Sequence, residues 1–251
     1  MTAVYKLTLK SKTMKHALTL LSLFIGLTLT AAAQSKVKAS DIIKQINEGR
    51  DVVYTNVEIE GNLDLTNLDN RTEAHHSTRW LHNFGAGDDT FVSTVKVSLT
   101  FTNCTFQGDV LAYDHVSRSE ETYVANFEKG VVFKNCNFND ASEFKYSQFE
   151  GVAVFTGSTF NREANFKYAD FSSGPSFASV KFEDGADFKY TQFPVETSFQ
   201  QATFYGLANF KYSKFRSPLN IESVAFKGSE DFKYTRIDGR SFTAYLLENG
   251  K

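Results

Sequence analysis

Residues 143–149 read EFKYSQF, and the phrase returns as NFKYADF at 165–171, DFKYTQF at 187–193, NFKYSKF at 209–215 and DFKYTRI at 231–237. Through and between these copies runs a column of large apolar residues. It starts at Phe127, Phe133, Phe138, Phe144 and Phe149, and continues through Phe166, Phe188, Phe210, Ile221 and Phe232 to Ile237. The steps alternate six, five, six, five without a slip, so four steps make one period of twenty-two residues. A fixed period on this scale sets the architecture before any local propensity does.

Apolar positions at steps of five and six do not recur on one helical face. The segments are also rich in Phe, Tyr, Thr, Val, Ser and Gly, which suit short strands and turns better than helix. A coil with four short sides fits, each side offering one large inward residue before a corner. The position two before each large residue is mostly small: Ala125, Val131, Cys136, Ser142, Ser147, Ala153 and onward to Ser213. Residues two apart in a strand face the same way, so each side places one small and one large side chain inside. This small column fails at Leu219 and Glu230, and the last coil is expected to be irregular.

On these residues the chain resembles the pentapeptide-repeat family, in a Phe-centred variety whose every second repeat is one residue longer. The resemblance implies an all-β fold, a right-handed quadrilateral parallel β-helix. The ladder has room for about seven coils.

The remaining segments read as export, caps and insertions. In residues 1–33, Lys10, Lys12 and Lys15 precede an apolar run from Ala17 to Thr30 and then Ala31-Ala32-Ala33. That is the pattern of a cleaved secretion signal, with Met14 as an alternative start. The expected location is periplasmic or secreted, with no membrane span after cleavage. Loss of Lys6, Lys10, Lys12 and Lys15 leaves 23 basic residues against 29 acidic ones, which argues against nucleic acid as a partner. Residues 34–51 are expected to cap the solenoid, with a helix from Ser40 to Gly49 led by Ser40 or Asp41 and striped by Ile42, Ile43 and Ile46. The β-helix spans 52–239. Val52, Val57, Leu63 and Leu68 are read as its first rungs, and Val95, Phe101, Phe106 and Ala112 as the next. Residues 240–251, with Phe242, Tyr245, Leu246 and Leu247, are assigned to the far end.

Two stretches, 69–94 and 113–124, break the ladder and read as loops. Val95 and Phe127 both resume it before a six-residue step, so both loops are expected to leave from one corner and to meet. They hold His75, His76, Trp80, His82 and His115, the candidate ligand-binding residues. Loops on a rigid scaffold are where function concentrates. The histidine spacing matches no standard metal site, and no metal or cofactor is expected. On the repeat itself, Lys145, Lys167, Lys189 and Lys211 form one outward row and Tyr146, Tyr168, Tyr190 and Tyr212 the next. These rows are read as a surface ladder that holds the coils in register, with a glycan- or polyanion-binding strip as the alternative. Glu143, Asp187 and Asp231 are expected to ease repulsion among the lysines. Cys104 and Cys136 are expected on adjacent coils as free buried thiols.

No catalytic constellation is present. The sequence supports a non-enzymatic structural or binding solenoid whose partner is an unknown protein or glycan. The family resemblance also implies a DNA-mimic topoisomerase inhibitor as an alternative. Analogy with other β-helices adds a polysaccharide-active enzyme, for which Asp88, Asp89, Glu120 and Glu121 are the candidate acids.

Overall fold

A computed structural model describes residues 34–74 and 89–249. The expected signal segment, and His75, His76, Trp80, His82 and Asp88, lie outside the described residues.

One coil shows the construction. Strands Val131–Lys134, Asn137–Phe138, Ser142–Glu143 and Gln148–Phe149 form its first, second, third and fourth faces. Each pairs in parallel with the strand twenty-two residues later, as Ser142↔Ala164, Asn137↔Thr159 and Gln148↔Asp170 show. The third face carries 7 strands from Leu63–Asp64 to Glu230–Asp231, so the solenoid has seven coils. It is the right-handed quadrilateral β-helix that the ladder predicts.

The alternation of five and six has a structural cause. Both five-residue steps turn on a residue of positive φ two places after the core residue: Asn135, Ser179 and Gln201 at one corner, Tyr146, Tyr168 and Tyr190 at the other. The N–H three residues after the core residue closes the turn, as Ser147 does to the Phe144 carbonyl (3.2 Å) and Ala169 to Phe166 (2.9 Å). Positive φ at the third residue is the type II pattern. The six-residue steps use their extra residue to turn the corner instead.

The column from Phe127 to Ile237 is buried except at Phe226 and Phe232, which are half-buried in the last coil. Rings one coil apart stack: Phe166 on Phe188 at 5.2 Å, Phe188 on Phe210 at 4.9 Å, and Phe193 on Phe215 at 4.5 Å. Hydroxyls of the small column donate to carbonyls of the preceding coil, Ser158 to Phe133 (2.9 Å) and Thr191 to Phe166 (2.7 Å). These hydroxyls are thereby satisfied inside the core, whereas the buried Ser142 hydroxyl has no partner among the described residues.

The first coil differs from the expected phase. Val52 pairs with Leu99, Leu63 with Val110, and Glu58 with Thr105, so Val52, Val57 and Leu63 occupy the small column. Tyr54, Ile59 and Leu65 take the places held by Phe in later coils. Large apolar residues, aliphatic but for Tyr54, fill both inward columns here, so the step pattern fits either phase. Ala112 is the rung expected of it, lying opposite Phe144 in register.

Helix α1 (Ala39–Asn47) starts one residue before the expected point, behind Lys38, and neither Ser40 nor Asp41 is its cap. Ahead of it, strand Ser35–Lys38 adds an edge to the second face. Ile42 and Ile46 are buried against the first coil, and Gly49 at φ 71° ends the helix. At the other end, helix α2 (Phe242–Asn249) stacks Phe242 on Phe215 at 4.7 Å, while Leu247 points away, 78% exposed.

Candidate binding surface

The described ends of the first insertion and most of the second form strands, and these strands meet. Strands Thr72–Glu73, Thr90–Val95, Glu121–Phe127 and Tyr113–Val116 lie side by side in that order. The central pair is parallel, running from Thr122↔Thr90 to Phe127↔Val95, and a hairpin partner flanks it on each side. Within the central pair Thr90-Phe91-Val92 and Thr122-Tyr123-Val124 alternate β-branched and aromatic residues, the composition of strands. Together they extend the fourth face past its corner as a wing.

Burial along the wing slips by one residue where it rounds the corner. Ser93 and Val95 face the solenoid core, whereas Thr90 is buried in the opposite phase; Ala125 and Phe127 likewise follow Thr122 and Val124. Val124 and Val92 therefore pack beside Tyr146, Tyr113 and Ala74 in a second small apolar cluster. The other side of the wing presents Phe91 stacked on Tyr123 at 5.2 Å and 17°. The Arg71 guanidinium lies 5.0 Å from the centre of the Tyr123 ring. The Tyr123 hydroxyl donates to Glu121 (2.9 Å), as does Ser119 (2.7 Å). Those two hydrogen bonds hold the Glu121 carboxyl below its usual range, and the same contact pushes the Tyr123 hydroxyl up. Reading the insertions as loops hid this cluster; the alternation in both segments was the available signal.

Of the histidines named from sequence, His115 alone falls among the described residues. Its Nδ1 lies 3.3 Å from the Thr122 hydroxyl and its Nε2 3.9 Å from Glu120. Among the described residues no group of three metal-ligating side chains converges.

The Lys–Tyr rows stand at the corner between the third and fourth faces. Rings of Tyr146, Tyr168, Tyr190, Tyr212 and Tyr234 stack at 5.1, 4.6, 4.8 and 4.9 Å. Each lysine ammonium lies over its neighbouring ring, from 4.8 Å at Lys145 to 5.5 Å at Lys211. Ring faces are thus occupied by other rings and by lysines, and the row turns its edges outward. Lys145 also donates to the Tyr113 hydroxyl (2.9 Å), joining the row to the wing.

The carboxylates beside the row ease the lysine charges, Glu143 and Asp187 at Lys145 and Asp187 at Lys167, and they also hold the turns. Asp187 and Asp231 accept the backbone N–H of Lys189 and Lys233, both at 2.9 Å, as Asn165 and Asn209 do for Lys167 and Lys211. Among the described residues none of these lysines forms an ion pair within 4.0 Å. A short carboxylate two residues before the lysine reaches the turn amide more readily than the distant ammonium. Burial pushes the Glu143 and Asp187 carboxyls up and the Lys145 and Lys167 ammonium groups down. Burial, with Tyr168 and Tyr113 beside it, also raises the Tyr146 hydroxyl to about 12.

Cys104 and Cys136 stand one above the other on the second face and carry free thiols. A hydrogen bond between them lowers Cys104 and raises Cys136.

The model of a family described as pentapeptide repeats (9 copies) matches residues 125–170, 144–192 and 166–214. No curated protein and no solved structure matches the chain. The match falls on the unbroken part of the Phe column, and residues 125–214 accordingly belong to the pentapeptide-repeat family.

Proposed function

We propose that the protein is an exported, non-enzymatic binding solenoid, working in the periplasm or outside the cell, with the wing as its recognition element. The observation that carries this reading is the outward cluster of Arg71, Phe91 and Tyr123 on the wing. Aromatic residues and arginine dominate binding energy where partners meet, and here a sheet tied to the first two coils holds them in place. The Lys–Tyr rows support the scaffold role, since their ring faces are spent within the stack. The charged start, apolar run and Ala31-Ala32-Ala33 of residues 1–33 support export. No described helix is long and apolar enough to cross a membrane.

The partner is a glycan or a protein carrying one. A glycan array probed with the chain beginning at Gln34 tests this, alongside a Phe91→Ala/Tyr123→Ala variant. Retention of a glycan by the native protein and its loss by the variant is expected. Equal retention by both would move the site off the wing. N-terminal sequencing of envelope material should begin near Gln34; a chain that retains Ala17–Thr30 would refute export by cleavage.

A further inference from the structure

The fourth face changes character along its length. Its outward column reads Asn126, Gln148, Asp170 and Gln192, then Lys214 and Arg236 on the last two rungs. Arg216 lies two residues beyond Lys214, past the buried Phe215. These three cations line a groove of about 640 Å³, with Gln192 on its wall and Asp170 at its far side. Lys214 and Arg236 are direct partners in register, and like charges directly opposite on neighbouring strands are destabilising. At the corner after the third face a similar row of lysines is eased by a tyrosine ring beneath each ammonium. Among the described residues no such ring contact serves Lys214 or Arg236, and Lys214, Arg216 and Arg236 form no ion pair within 4.0 Å. Asp238, on the rim, takes the amide N–H of Ser217 (3.3 Å).

We propose that this groove binds the sulfate or carboxylate groups of an acidic polysaccharide. One oxyanion seated between Lys214 and Arg236 spans a single rung spacing of about 4.8 Å and replaces their repulsion with two charge-assisted hydrogen bonds. Arg216 meets a second anionic group along the same chain, and Gln192 a neighbouring hydroxyl. A nucleic acid fits less well. The groove shows no exposed aromatic face on which a base could stack.

Calorimetric titration of the full chain at low salt tests the proposal with three probes: a heparin-derived sulfated oligosaccharide, a neutral dextran of equal length, and a single-stranded oligonucleotide. Binding of the sulfated probe alone is expected. Lys214→Gln and Arg236→Gln should each weaken it by roughly tenfold, the weight of one charge-assisted contact, and Lys181→Gln on the second face should leave it unchanged. Relief of the like-charge pair should leave the melting temperature of Lys214→Gln at or above that of the native protein, so a loss of binding is not a loss of fold. Absence of binding, native affinity in both groove variants, or equal or tighter binding of the oligonucleotide would each overturn the assignment.

Discussion

Phe188 shows what a single residue contributes. It is fully buried, stacked between Phe166 and Phe210, and met edge-on by Phe177 at 5.2 Å and Phe199 at 5.6 Å. Truncation leaves a void that neighbours locked in their own stacks cannot fill. Phe188→Ala should cost about 3–5 kcal/mol in denaturant unfolding; a loss below about 1 kcal/mol would mean the ring is not packed. Two residues on, Tyr190 sits at φ 64°. The left-handed conformation costs an L residue roughly 1–2 kcal/mol, and stacking on Tyr168 and Tyr212 offsets it. Asp187 sets a pH dependence. Its folded carboxyl is raised, chiefly by burial, so its charged form opposes folding. The native protein should therefore gain stability relative to Asp187→Asn as pH falls from neutral towards the carboxylate range, and lose that gain as pH rises through the raised value. Melting temperatures of the pair across that window check this; a constant difference would show that Asp187 is not desolvated.

The wing is the element whose stability is separable from the rest. Its strands join the fourth face at Phe127, but beyond the corner it rests on the small cluster around Val124 and Tyr146. Val124 is fully buried there. A charge at this position has no partner and cannot be accommodated in an apolar site. Val124→Asp should release the hairpin 113–124 to limited proteolysis while the coils from Phe127 onward stay resistant, as mass spectrometry of the fragments will show. A variant cut no faster than the native protein would mean that pairing with Thr90–Val95, rather than the cluster, holds the wing.

At the scale of the molecule, a solenoid has two ends that expose apolar side chains and unpaired strand edges. Helix α1 packs over strands of the first three faces, and Phe242 of α2 continues the Phe193–Phe215 stack. Ile42, fully buried, seals the N-terminal end. Ile42→Asp should uncover that end and produce concentration-dependent association, measured by light scattering. A variant that stays at the native mass would show that strand Ser35–Lys38 and the rest of α1 suffice.

The sequence by itself determined the repeat, its four sides, its inward columns and the pairing of Val95 with Phe127. These follow from a strict period, because each coil repeats the burial problem of the one before it. Tertiary structure alone decided the rest. Val52 or Tyr54 serves equally as the large inward residue by pattern, and only pairing with Leu99 and Phe101 chooses between them. The alternation of Phe91 with Val92, and of Tyr123 with Val124, marks strands but not which side faces out. That side is set by the corner, where Tyr146 offers an apolar surface for Val124 to cover. The groove likewise arises from stacking, which brings Lys214 and Arg236 together across twenty-two residues of chain. A periodic sequence specifies its own scaffold, whereas the surfaces that depart from the period take their form from contacts between distant segments.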